Sequence, residues 1–149
     1  MAINNIVDES FIINQKKLKQ FGDRCSNVKI GIMGGTFDPI HYAHLATAEF
    51  IRDNYKLDKI LFIPSGNPPH KKGNITDKYD RYNMVLLSTV NNDDFIVSDI
   101  EIKREKSTYT IDTLKVLKQI YKNAEIYFIT GADAICDIET WKDVEGNFK

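Results

Sequence analysis

Val28-Lys29-Ile30-Gly31-Ile32-Met33 runs directly into Gly34-Gly35-Thr36-Phe37-Asp38-Pro39-Ile40-His41-Tyr42-Ala43-His44, and a helical pattern from Leu45 to Tyr55 follows. An apolar run, a glycine turn and a helix start make a strand–turn–helix unit. Glycine has no Cβ, so backbone at Gly34 and Gly35 can lie close to a ligand. A helix N-terminus offers free N–H groups and the positive end of a dipole, which suits a phosphate. His41 and His44, three residues apart, share one helix face and can both reach that phosphate. A metal site would need the glutamate of His-Glu-x-x-His or partnering cysteines, and this stretch has neither. Without a ligand the pair would be one surface and one buried histidine, a reading the glycine turn argues against.

Working outward, Lys59–Pro64 is a second strand, apolar nearly throughout, as expected when both faces are covered. Ser65–Ile75, rich in Gly, Asn and Pro, is a loop. Asp77 caps a helix to about Val90, with Tyr82, Val85 and Leu86 inward. Phe95–Val97 starts a third strand, expected to continue to Ile102 after a kink. Thr110–Tyr121 repeats Ile111, Leu114, Leu117 and Ile120/Tyr121 at helical spacing. Glu125–Thr130 is a fourth strand, and Gly131-Ala132-Asp133 opens a further turn. Strand and helix alternate four times, which predicts an α/β, Rossmann-like parallel sheet with helices on both faces. Ligands of such sheets bind beyond the carboxyl ends of the strands, at a switch in strand order. The unusual sequence falls on the loops at that edge. Residues 1–27 are set apart as an N-terminal extension, helical or disordered, in which Ser10–Phe21 would be a short helix with Phe11, Ile12, Leu18 and Phe21 on one side. Residues 28–149 form the α/β domain.

The bulk numbers narrow the function classes. At 149 residues one domain is expected, and 42% hydrophobic residues suffice for a core. Twenty basic residues against 21 acidic ones give no basic excess, so nucleic acid is not an expected partner. Cys25 and Cys136 stand far apart in no metal-like spacing, which fits free thiols in a reducing cytoplasm. The N-terminal stretch does not read as a secretory signal, and no run is long and apolar enough for a membrane span.

Neither Gly-x-Gly-x-x-Gly nor Gly-x-x-x-x-Gly-Lys-Ser/Thr occurs. The four motifs present are Gly34–His44, Pro64-Ser65-Gly66-Asn67-Pro68-Pro69-His70-Lys71, Ser107-Thr108-Tyr109-Thr110-Ile111-Asp112-Thr113-Leu114, and Gly131-Ala132-Asp133 followed by Trp141. Together and in this order they resemble the bacterial nicotinate-nucleotide adenylyltransferases of the nucleotidylyltransferase superfamily, over residues 28 to about 145. The resemblance implies transfer of the adenylyl group of ATP to nicotinate mononucleotide, giving nicotinate adenine dinucleotide and pyrophosphate in NAD biosynthesis, with Mg2+ bridging the departing phosphates. It also implies roles. His41 and His44 would be catalytic and hold the ATP phosphates, His44 nearest the α-phosphate. Gly34, Gly35, Thr36 and Phe37 would line the junction of the two substrates. Lys71 would add charge at the mouth, with a solvated Lys71-Lys72 pair as the alternative. His70, Thr110 and Trp141 would hold the mononucleotide, with Thr110 alternatively the helix N-cap and Trp141 alternatively a core anchor. Gly131 and Asp133 would take the adenosine end. Asp38 is expected to shape the turn, and Arg81 either serves the family's site or makes a structural ion pair.

Two departures accompany the resemblance. Tyr42-Ala43 stands between the histidines where the family commonly has a glycine. The sequence also ends at Glu145-Gly146-Asn147-Phe148-Lys149, before the family's Ile-Ser-x-Thr-x-Ile-Arg motif, and residues 1–27 precede the first strand. A missing phosphate-gripping arginine would cost about 1.5–3 kcal/mol per charged hydrogen bond. A missing strand and helix would bare an edge and favour a homo-oligomer. The alternatives are therefore a shortened nucleotide-binding remnant without turnover, or the same chemistry on nicotinamide mononucleotide or phosphopantetheine. An interaction domain would require the four loops to be coincidence.

Overall fold

The computed structural model describes residues 2–23, 27–68, 73–107 and 109–131. Among the described residues eight elements follow in chain order: α1 (Ala2–Gly22), β1 (Lys29–Gly35), α2 (Tyr42–Asn54), β2 (Lys59–Pro64), α3 (Lys78–Thr89), β3 (Phe95–Val97), α4 (Thr110–Ile120) and β4 (Glu125–Ile129). The four strands form one sheet in the order β3-β2-β1-β4, every pair parallel. β1 lies between β2 and β4, so strand order reverses at the β1–β4 junction, with Met33 opposite Ile129.

Strand periodicity sorts the core into two layers. Met33, Ile60, Phe62, Phe95 and Val97 pack on one face with Ala48 of α2 and Tyr82, Val85 and Leu86 of α3. Ile30, Ile32, Leu61, Ile63 and Ile96 pack on the other with Phe21 of α1 and Leu114 and Leu117 of α4. Successive strand residues thus face opposite layers, as period-2 geometry demands. Buried apolar area of this kind supplies most of the driving force, about 25 cal/mol per Å². Asp77 begins α3 by accepting the Tyr79 N–H at 2.9 Å, the expected cap.

Three expectations need correction. β3 ends at Val97 rather than running on to Ile102. Ser98 N–H still reaches Phe62 O, but its Oγ accepts the Ile100 N–H and the chain turns, bringing Ile102 back into the core. Ile120 is exposed, and Tyr121 instead packs on Phe21 with ring centroids 5.4 Å apart. Phe11 and Ile12 also point outward; the buried line along α1 is Ser10, Asn14 and Phe21.

The physical reason lies at the sheet edge. β3 is the outermost strand beside β2, and an edge strand presents unpaired N–H and C=O groups. Asn14 answers both at one residue: its Nδ2 donates to Val97 O at 3.0 Å and its Oδ1 accepts Val97 N–H at 2.9 Å. One turn on, Lys17 Nζ donates to Thr89, Val90, Asn92 and Phe95 carbonyls at 2.9–3.3 Å. Two of these belong to the C-terminal end of α3, the negative end of its dipole. A polar helix face is what a backbone edge needs, and hydrophobic spacing cannot predict it.

Candidate functional site

The carboxyl edge of the sheet collects the turns after β1, β2 and β4. At the end of β1, Gly34 and Gly35 leave the strand and Thr36–Ile40 cross to α2, with a cis Asp38–Pro39 peptide. A Cβ on Gly34 would meet nothing nearer than Ile63 O at 3.9 Å, so the backbone here is open to approach. Phe37 is buried yet has φ +50°, a left-handed conformation that costs a non-glycine residue about 1–3 kcal/mol. Its surroundings hold it there: its ring meets Phe62 and stands edge-on to His44 at 5.1 Å. A Cβ on Gly35 would come within 3.1 Å of that ring.

His41 has extended backbone and is the N-cap of α2; His44 is its third helical residue. His41 N–H donates to His44 Nδ1 at 3.1 Å, the contact that Glu or Gln makes in a capping box. This bond fixes the tautomer. Nδ1 is an acceptor, so the proton of the neutral ring sits on Nε2 and remains available as a donor. The two imidazoles stack at 3.7 Å. Burial, and secondarily the neighbouring His41, push the His44 pKa below its ordinary value. The corner thus offers a neutral N–H donor at a helix mouth, an arrangement suited to anionic oxygens.

Asp38 Oδ2 accepts the Thr76 N–H at 2.9 Å, tying the corner to the segment before α3. Arg81 makes the more extensive tie. Its side chain is only 1% exposed, and its guanidinium donates to Thr36 O (2.8 Å), Ser65 O (2.7 Å), Gly66 O (3.0 Å) and Thr76 O (2.8 Å). Burial lowers its pKa, offset in part by Asp38 and Asp77. The expected alternatives for this residue, site contact or ion pair, both omit the four carbonyls that it gathers from two loops. Arg81, Asn67, Thr76, Lys78 and Ser107 line a cleft of about 380 Å³ beside this joint.

The loop from Ser98 to Tyr109 is held from beneath. Thr113 donates to Glu101 at 2.7 Å and accepts from Arg104 at 3.2 Å, while Asn67 and Lys78 donate to the Arg104 carbonyl. Gly66 is obligatory here, because a Cβ would overlap the Glu101 carbonyl. Tyr109, not Thr110, is the N-cap of α4; Thr110 is the first helical residue, and Asp112 lies in the first turn.

The structure therefore brings Gly34, Gly35, Thr36, Phe37, His41 and His44 together at one corner. Gly131 follows β4 on the neighbouring strand, exposed, and Thr110 opens α4. His70, Lys71, Asp133 and Trp141 lie outside the described residues. Among the described residues no three His, Cys, Asp or Glu side chains are grouped to hold a metal ion, and no helix is long and apolar enough to cross a membrane.

Comparison with known proteins places this corner in context. Residues 32–149 match the cytidylyltransferase-like family model. The chain is similar to a probable nicotinate-nucleotide adenylyltransferase of Thermoanaerobacter sp. (strain X514), 58% identical over 120 residues, covering 79% of this chain and 57% of that protein. A probable nicotinate-nucleotide adenylyltransferase of Desulfitobacterium hafniense (strain Y51) is 54% identical over 118 residues, covering 78% and 57%. The chain thus spans somewhat over half the length of these curated relatives. Among solved structures, Plasmodium falciparum nicotinic acid mononucleotide adenylyltransferase complexed with NaAD superposes with TM-score 0.70 at 31% identity, covering 80% of this chain and 59% of that one.

Proposed function

The chain belongs to the cytidylyltransferase-like family, and from that premise we propose that it transfers the adenylyl group of ATP to nicotinate mononucleotide, giving nicotinate adenine dinucleotide and pyrophosphate. The curated relatives' names support this choice of substrates, as does the neighbour complexed with NaAD. The observation that carries the reading is the His41–His44 corner, where one hydrogen bond leaves His44 a neutral Nε2–H donor at the mouth of α2.

In the proposed reaction a 5′-phosphate oxygen of the mononucleotide attacks the α-phosphorus of ATP. The bond from that phosphorus to the β-phosphate oxygen breaks, and pyrophosphate leaves. The attacking phosphate is already ionised, so no general base is required. The protein's task is to align the reactants and stabilise charge spreading over the phosphoryl oxygens. His44 Nε2–H donates to the α-phosphate while Nδ1 keeps the His41 N–H. His41 and the N–H groups of the first turn of α2 take the outer phosphates. Gly34, Gly35, Thr36 and Phe37 line the junction, with no Cβ at Gly34 to block approach.

Imidazole and backbone N–H groups suit phosphate oxygens rather than a hard cation, and the Asp38 carboxylate accepts from Thr76. Mg2+ therefore arrives with ATP as part of the substrate, and neutralises charge on the leaving pyrophosphate. Lys71 is assigned to the mouth, Gly131 and Asp133 to the adenosine end, and His70, Thr110 and Trp141 to the mononucleotide. A cytoplasmic setting, where both nucleotides are available, is part of the proposal.

Pyrophosphate release from MgATP, with nicotinate or nicotinamide mononucleotide as acceptor, tests it. Release with the nicotinate form alone is expected. Release with the nicotinamide form alone overturns the acceptor, and silence with both overturns the reaction.

A further inference from the structure

We propose that Arg81 is a positioning residue for adenylyl transfer: by holding carbonyls of the first two motif loops at one guanidinium, it sets where the glycine–histidine corner stands relative to the loop after β2. The inference rests on the reaction proposed above, but its geometry is independent of it.

Thr36 O belongs to the turn between β1 and α2, Ser65 O and Gly66 O to the loop after β2, and Thr76 O to the segment leading into α3. Carbonyls from two separate connections, one of them preceding α2 and the other preceding α3, meet one planar cation. A buried charge is costly unless its donors are satisfied, so the guanidinium and the carbonyls define one another's places. The Thr36 bond is the telling one. It pins the residue immediately before Phe37, whose left-handed backbone turns its ring edge-on to His44. The chain of contacts runs from Arg81 through Thr36 and Phe37 to the imidazole. Asp38 makes a second, exposed tie across the same joint through Thr76 N–H.

A lysine can fill part of the volume and keep the charge, but it lacks the fork that spans carbonyls of separate loops. A 1 Å misplacement of reacting groups can cost about 100-fold in rate. Arg81→Lys is therefore expected to fold, to bind MgATP with KM near that of the wild type, and to lose kcat by about 10- to 100-fold. Its His44 imidazole, followed by NMR titration, is expected to move towards the ordinary histidine midpoint as Phe37 shifts. Wild-type kcat together with a wild-type His44 titration in folded Arg81→Lys overturns the proposal. If Arg81→Lys does not fold, Asp38→Ala decides, since Asp38 is exposed and its bond crosses the same joint. A kcat loss and a His44 shift in the same direction support the proposal; neither effect overturns it. If the wild type itself releases no pyrophosphate, the reaction reading fails, and the His44 titration alone still decides whether Arg81 places the corner.

Discussion

His44 carries a structural and a chemical assignment through different ring nitrogens. Nδ1 accepts the His41 N–H and helps begin α2, while Nε2 is left to donate. His44→Ala separates the two. Loss of the cap contact is worth about 0.5–2 kcal/mol, which a domain with this core survives. Loss of a donor aimed at transition-state charge is worth about 100- to 1,000-fold in kcat. A folded His44→Ala enzyme with normal turnover would show that the imidazole does not serve the reaction. The lowered pKa of His44 gives a second prediction, with a definite sign. The folded state resists protonating a ring that the unfolded chain protonates near pH 6.5. Its contribution to stability is complete above that value and is lost as pH falls through the lower, folded value. Denaturation midpoints measured across that window should decline in the wild type more steeply than in His44→Ala, and parallel curves would contradict the assignment. Gly35→Ala probes the same corner from the strand side. Its new Cβ must displace the buried Phe37 ring, so both kcat and stability should fall, kcat measured on the folded variant being the readout of the corner.

At the scale of elements, α1 reads as an amphipathic helix and behaves as a plug for a sheet edge. Asn14→Leu keeps the size and removes both polar partners of Val97. Each stranded backbone group costs about 1–3 kcal/mol, so urea denaturation should show a loss of about 2–6 kcal/mol. A loss under 1 kcal/mol would mean that water or another side chain replaces Asn14 easily. This contrast also marks the limit of legibility at this scale. β2 is bounded correctly at Lys59–Pro64, β3 at its start, and α3 at its Asp77 cap, because apolar runs, period and capping are local signals. Phe11 and Ile12 mislead because they are apolar on a helix whose buried face, at Asn14 and Lys17, meets backbone rather than side chains. The partners of Asn14 and Lys17 lie 72 to 83 residues away in sequence, beyond any window in which periodicity operates.

For the molecule as a whole, four parallel strands in the order β3-β2-β1-β4 direct the turns after β1, β2 and β4 to one edge, and the alternation of strand and helix makes that placement legible from sequence. The motif residues from Gly34 to His44 are legible too, because strand, turn and helix mouth are contiguous. The role of Arg81 is not: its Thr36 partner is 45 residues distant, and the sequence offers only a site contact or an ion pair for it until the fold closes over it. A site assembled from separate loops has a consequence that a purely local site would lack. Ligand should stiffen the connections between layers and therefore raise the stability of the entire domain, because binding to the folded state alone adds RT ln(1 + [L]/Kd). At a hundredfold excess over Kd this is about 2.7 kcal/mol. For a chain of this length it amounts to a rise in melting temperature of roughly 5–10 °C. MgATP should produce that shift in the wild type, a smaller one in His44→Ala at the same concentration, and nicotinate mononucleotide should add to it. Thermal melts with each nucleotide alone and together test this without any turnover. An MgATP shift equal in both proteins would place ATP away from α2, and no shift with either nucleotide would remove the sheet edge as their binding site.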